Sequence, residues 1–395
     1  MLLVQDGHQA HTRAIDALGA DLVEGMIWSP GDHRPDNLAA CIAGESYDEV
    51  IQALDPQLYV ARLSGPNPKK LDEYDLFSVP MRARDLAARN LPALVAQILD
   101  YQADFTQLTH LIAPTVSVPS MADRRAQSAS DLADASLAWK EEGGEERPLL
   151  ISVALERTLL ADDDSVDGLL DEITALEADG FYLLFELPPD LDRERSAAIR
   201  RRALYAISTL AENDFEVWVG YAGLGGYCMR AAGADAVGSG WFQKQQYWSP
   251  DHWTGESGGR QPKMRAYLTS MIGSLLLEAE LDPLRRADRE LYEEVLDVPG
   301  DLAAELRSTR SPADSDFSRE ECCLQMFATL AALESRINDD IAVDLALAHA
   351  DLEGAVELIG RIEEVVQLHQ RSGARSVGAW LDAVAGLAGD LGIAL

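Results

Sequence analysis

From residue 2 to residue 240, short runs of apolar residues alternate with longer stretches in which apolar positions recur at three- and four-residue spacing. The short runs predict strands over 2–5 (LLVQ), 22–28 (LVEGMIW), 58–63 (LYVARL), 110–118 (HLIAPTVSV), 149–155 (LLISVAL), 181–187 (FYLLFEL), 216–222 (EVWVGYA) and 235–240 (DAVGSG). The stretches at 91–102, 165–180 and 196–213 predict amphipathic helices between them. Alternating strand and helix units of this number predict an α/β fold of the (β/α)8 TIM-like barrel type, with an open doubly wound sheet as runner-up. The run DLFSVP at 75–80 is a ninth candidate strand.

Past residue 245 the pattern changes to helical stretches with polar joints, at 264–281, 297–320, 321–337 and 339–370. The joint RSTRSPADSDFS at 307–318 is the best boundary candidate. The expected organisation is therefore a TIM-like barrel domain with a helical extension over 1–306 and a C-terminal helical region over 318–395.

Composition narrows the function classes. With 67 acidic against 33 basic residues the formal net charge is −34, which disfavours general nucleic-acid binding, because such binding is built on Lys and Arg neutralising phosphates. No apolar run approaches membrane-spanning length, so no membrane partner is expected. The N-terminal apolar stretch is too short for a signal peptide, which predicts a cytoplasmic protein. Cys41, Cys228, Cys322 and Cys323 show no paired C-x-x-C spacing, so neither a disulfide framework nor a zinc site is indicated, and no cofactor is implied.

In a barrel, chemistry gathers at the C-terminal strand ends. Acids expected there are Glu24, Glu156, Glu186 and Asp6, with Tyr221 after the seventh strand. Glu156 and Glu186 directly follow apolar strands, where a pair of carboxylates can do acid–base work or hold a ring nitrogen. In the aromatic loop 240–253, Trp241 and Phe242 lie nearest a strand end and are the candidates for stacking on a flat heterocycle; packing against the helical region is the competing role. Arg260, Lys263 and Arg265 follow a glycine loop and are expected to enter a helix, where they would meet a phosphate. The basic run RERSAAIRRR at 193–202 reads as a solvated helix face. DGHQAH (6–11) and GDHRPD (31–36) invite a metal reading, but later strands end without histidine, so no metal site is expected.

The segments 96–142, PLLISVALE (148–156), DGFYLLFELPP (179–189) and FEVWVGYAGLGGYCMRAAGADAVGSGWFQK (215–244) resemble, in order and spacing, the second half of a tRNA-guanine transglycosylase barrel, over about a third of the chain. The resemblance implies a barrel that handles a purine or 7-deazaguanine-type base. It also exposes departures. The position of the family's nucleophilic carboxylate, after GADAV, is Gly238–Ser239; a second carboxylate is replaced by Leu63; the base-gripping acids fall on Ala113 and Pro114; and the three-cysteine, one-histidine zinc cluster is missing. Taken with these departures, the resemblance implies binding of a base, nucleoside or nucleotide with tRNA base exchange lost. It further implies an accessory role beside a deazaguanine-dependent nucleic-acid or protein modification or antiviral defence system. Two alternatives stand beside it: an active barrel enzyme of glycosyl or amide chemistry using Glu156 and Glu186, and an interaction scaffold whose C-terminal helices dock a protein partner or a second copy as a homodimer.

Overall fold

The apolar runs form one parallel sheet rolled into an almost closed barrel. The computed structural model describes residues 1–7, 10–47, 50–61, 70–76, 81–82, 85–187, 192–254, 264–296, 302–309, 318–369 and 372–395. Its parallel strands are β1 (Leu2–Gln5), β2 (Gly25–Trp28), β3 (Ile51–Leu54), β4 (Leu111–Ile112), β5 (Ser117–Val118), β6 (Leu149–Leu155), β7 (Gly180–Phe185), β8 (Glu216–Val219) and β9 (Ala236–Ser239). They run in the order β3-β2-β1-β9-β8-β7-β6-β4, with β5 continuing the β4 position further along β6. The two ends of that order approach each other, where Thr109 N and His110 N both donate to Gln52 O, at 2.9 and 3.2 Å. The expected α/β TIM-like barrel is therefore the fold, and an open sheet is excluded.

Strand alternation divides the apolar residues into two clusters. Leu3, Ile27, Ala53, Ile112, Leu150, Ala154, Tyr182, Leu184, Trp218 and Ala236 fill the barrel interior. The other strand faces pack against the surrounding helices in a larger cluster that runs on into the C-terminal helices. The helices start where the sequence supplies caps: Asp123, Asp162, Asp192 and Asp340 each accept a hydrogen bond from a first-turn amide, and Ser318 with Glu321 forms a capping box.

Two expectations are corrected, and a third falls mostly outside the described residues. Residues 58–61 form a turn of helix, Leu58–Ala61, and the third strand is Ile51–Leu54 upstream. An apolar run of this length fits a buried helical turn as well as a strand, and Gln52 hid the true strand; it is fully buried because its amide serves Trp28 Nε1 and Tyr47 O. The stretch at 264–281 is an antiparallel hairpin, β10 (Arg265–Leu268) and β11 (Gly273–Leu276), followed by a single wide helical turn, so Arg265 opens a strand and not a helix. Of the ninth strand candidate, Asp75 and Leu76 lie in a turn and 77–80 are outside the described residues.

The basic run at 193–202 keeps Arg193, Arg195 and Arg201 exposed, as a solvated face would, but it also forms a docking face for the C-terminal helix Ala374–Asp390. Arg193 forms a two-pronged pair with Asp382 (2.6 and 2.7 Å), Arg201 pairs with Asp390, and Arg202 turns back to Asp163. The helices Arg319–Glu334 and Ile341–Glu363 likewise pack on the barrel's last helical turn, Gly226–Ala231. The C-terminal region thus shares the barrel's core. Among the described residues no helix is long and apolar enough to cross a membrane.

Candidate functional site

At the C-terminal end of β3 the chain leaves the barrel through Asp55-Pro56-Gln57, and this turn builds a polar centre inside the mouth. Asp55 is fully buried; its Oδ1 accepts from Gln57 N (3.0 Å), and its Oδ2 accepts from Tyr59 Oη (2.7 Å) and, more weakly, Tyr182 Oη (3.4 Å). Gln57 Nε2 donates to Tyr221 Oη (3.2 Å), which lies 3.5 Å from Tyr59 Oη, and Gln57 Oε1 accepts from Gly31 N. Tyr182 reaches across from β7 because Gly220, just past the end of β8, has no side chain: a Cβ there would overlap Tyr182 Oη. Trp248 and Trp253 cover the cluster, in edge contact with Tyr59 at 5.7 and 6.0 Å. Burial pushes the Asp55 carboxyl up to about 6, against hydrogen bonds from Tyr59, Gln57 and Tyr182 that pull it down. A carboxyl so placed exchanges its proton near neutrality. Gln5 Nε2 and Trp248 Nε1, both buried, have no hydrogen-bond partner among the described residues.

Of the predicted residues, Tyr221 belongs to this centre. Glu186 and Glu156 end neighbouring strands, but each is engaged. Glu156 Oε1 accepts from Arg125 (2.6 Å) and Ser117 (2.7 Å). Glu186 accepts from Arg157 N (2.9 Å) and Ser249 Oγ (3.2 Å), beside its bridge to Trp248. Trp241 and Phe242 take the packing role. The Arg13 guanidinium lies over both rings, and Trp241 meets Phe327 of the C-terminal region edge-on at 6.2 Å. Arg260 and Lys263 lie outside the described residues. Glu24 sits at the opposite end of the barrel, accepting from Leu2 N, as does Asp235, whose carboxylate accepts from Val217 N. Asp6 is buried on the helix-facing side of β1, paired with His33 Nε2 at 2.7 Å. Burial raises the Asp6 carboxyl, and the Asp6 carboxylate raises His33 against the opposing effect of burial. Among the described residues no three His, Cys, Asp or Glu side chains are grouped to hold a metal.

Beside the mouth, at the ends of β7 and β8, a cavity of ≈ 200 Å³ opens between the barrel rim and the C-terminal helices. Its walls include Tyr221, Tyr247, Tyr267 and Trp380, with Arg200, Arg265 and Arg375 among them. The turn at 222–225 forms one side, and it is glycine-rich for steric reasons. Gly223 has φ +55 with Gln246 O behind it, and a Cβ on Gly225 would strike the Trp380 indole.

The backbone marks the same place. Six non-glycine residues among those described have positive φ. Asp21, Asp214 and Asp339 are of a type that tolerates it at turns, whereas Gln57, Tyr221 and Ile272 are not. Tyr221 and Ile272 line the cavity, and Gln57 bonds Tyr221. Conformations of this kind cost about 1–3 kcal/mol each and cluster where a site constrains the chain.

No family model matches this chain, and a search of curated proteins returns no match.

Sequence reasoning missed Asp55, Tyr59, Tyr182 and Arg200. Asp55-Pro56 directly after the weak strand IQAL was the available signal, once that strand is placed.

Proposed function

We propose that this chain is a divergent relative of the tRNA-guanine transglycosylases that binds a purine or 7-deazaguanine-type base, nucleoside or nucleotide and does not exchange it on tRNA. On this reading it is accessory to a deazaguanine-dependent modification or antiviral defence system. The observation that carries the binding claim is the cavity beside Tyr221, walled by Tyr247, Tyr267 and Trp380. Ring stacking contributes about 1–3 kcal/mol per base. The volume of ≈ 200 Å³ lies below the roughly 300–1,000 Å³ of pockets for drug-sized ligands, which favours an occupant no larger than a mononucleotide. The absence of base exchange rests on Gly238–Ser239 standing where the resemblance requires a carboxylate. Calorimetric titration with guanine, guanosine and 7-deazaguanine, alongside incorporation of labelled guanine into tRNA, tests both halves. Binding without incorporation is expected; no binding of any of the three, or incorporation, refutes the reading.

One observation favours an enzyme instead: the buried Asp55 carboxyl, poised at about 6 and touched by two phenols, suits general acid–base chemistry on a glycosidic or amide bond. All three carboxylates, Asp55, Glu156 and Glu186, have hydrogen-bond partners; Asp55 differs in that phenols and a backbone amide meet it inside the barrel mouth and burial raises it, whereas Glu156 is paired with the Arg125 cation. Turnover of a bound nucleoside that is lost in Asp55→Asn while affinity persists would establish it.

A further inference from the structure

Arg200 lies on the barrel helix Arg193–Glu212, is 5% exposed, and lines the cavity. Its Nη atoms donate to the carbonyl and hydroxyl of Ser376 at 2.5 and 3.3 Å, and the guanidinium stacks on Trp380 at 4.6 Å. Among the described residues its Nε has no partner, and no carboxylate pairs with it. Burial lowers its proton affinity only to about 10, so it stays a cation at neutral pH. A buried charge with no counter-ion is costly, and proteins rarely leave one so. Its neighbours on the same helix, Arg193, Arg201 and Arg202, all have carboxylate partners; Arg200 alone of this run faces the cavity.

Two more guanidiniums converge there. Arg265 reaches in from the hairpin, held by Ser274 and Ser372 through Nη1 at 3.0 and 3.1 Å. Arg375, at the exposed rim, forms no ion pair with any described residue. The buried acid Glu280, which shares Ser372 with Arg265, does not line the cavity; its oxygens accept from Leu276 N, His369 N and Ser372 Oγ. In a chain of net charge −34, a concentration of positive charge in one cavity is a local reversal that demands a cause.

We infer that this cavity contains a phosphate subsite, formed by the Arg200 and Arg375 guanidiniums with Arg265 and the Ser376 hydroxyl beside them, which takes the phosphate group of a phosphorylated small molecule. The exposed Arg375 fork can match two phosphate oxygens at once, while Arg200, its Nη atoms engaged with Ser376, supplies an uncompensated positive charge behind it. The anion sits on the Arg200–Arg375 side, away from Glu280. Tyr247 and Tyr267 then flank the rest of the ligand, so the subsite rests on the proposed reading of the cavity as a nucleotide site and selects the phosphorylated form among its candidates.

The test compares guanosine, guanosine 5′-monophosphate and inorganic phosphate by calorimetry at matched ionic strength, with sodium chloride as control. The monophosphate is expected to bind at least about tenfold tighter than guanosine, the gain of a charge-assisted bidentate contact. Inorganic phosphate alone should bind where chloride does not. Arg375→Glu, on an exposed residue that leaves the core untouched, should abolish the difference between monophosphate and nucleoside. Arg200→Met should do the same wherever thermal melting shows the variant folded. Guanosine binding with no added affinity from phosphate overturns the subsite and leaves the purine reading standing. Phosphate binding without guanosine or monophosphate binding supports the subsite and refutes the purine reading. Equal displacement of phosphate by chloride overturns the subsite.

Discussion

Asp55→Asn isolates the energetic cost of the acid buried in the barrel mouth. The wild-type carboxyl is raised from its ordinary value of 3.8 to about 6, chiefly by burial. In the unfolded chain it loses its proton near pH 4; in the folded chain it keeps the proton until about pH 6. Over that interval the folded state binds more protons, so rising pH favours unfolding, and stability falls until the folded carboxyl has ionised. The total corresponds to about 3 kcal/mol, lost between roughly pH 4 and pH 7 and constant above that range. An asparagine keeps one acceptor oxygen, for Gln57 N, and turns its NH2 toward the Tyr59 hydroxyl, which can accept from it; it cannot ionise, so the variant carries none of this pH dependence. Urea denaturation of both proteins from pH 4 to pH 8 gives the difference directly, cancelling contributions from Asp6, His33 and the many surface acids. The wild type should lose ground to the variant by about 2–3 kcal/mol across the range, most steeply below pH 6. Parallel stability curves would show that Asp55 is solvated or compensated, and the argument for a poised carboxyl in the mouth would fail with it.

Gly220→Ala should cost about 1–3 kcal/mol, because its Cβ would displace the Tyr182 hydroxyl from Asp55 and Gln5; a change below about 0.5 kcal/mol in chemical denaturation counts against the close approach. Trp241→Ala should cost about 3–5 kcal/mol while leaving nucleotide affinity unchanged, since the ring packs on Phe327 and under Arg13, away from the cavity walls. Loss of affinity in a folded Trp241→Ala protein would restore the ring to the ligand site.

The barrel was legible because strand and helix differ in hydrophobic period, and that signal survives wherever strands are buried on both faces, as at LLISVAL and FYLLF. It failed at β3, where a buried glutamine sits inside the strand and a more apolar neighbour, LYVA, folds as a helical turn. It failed again at 264–281, where apolar residues at both periods coexist and the reversal rests on Ile272 at φ 45, a conformation no propensity for isoleucine predicts. Charge was the least legible property. The run at 193–202 reads as uniformly exposed, yet Arg193 and Arg201 face carboxylates nearly two hundred positions away, while Arg200 between them is buried without one. Which arginine of a run has no partner depends on side chains from distant segments, and local sequence holds no record of it.

The cavity also changes what the C-terminal helices are for. Arg200 comes from a barrel helix, Trp380 and Ser376 from the last helix, and Arg265 and Ser274 from the hairpin, so its walls are complete only when the helices are docked. A ligand that binds only the docked form stabilises it by mass action, about 2.7 kcal/mol at a hundredfold excess over its dissociation constant. The helices' inner face is therefore committed to the barrel and the cavity, through the Arg193–Asp382 and Arg201–Asp390 pairs as well as Trp380. Only their outer face is left for a protein partner. The exposed large apolar residues among those described are Val343, Val365 and Leu395, too few to form an apolar docking patch. A scaffold role would thus rest on the charge pattern of that face. Deleting the chain from residue 318 would not isolate it, because the same cut removes Trp380 and Ser376 from the cavity and exposes the barrel core that Phe327, Leu352 and Leu387 cover.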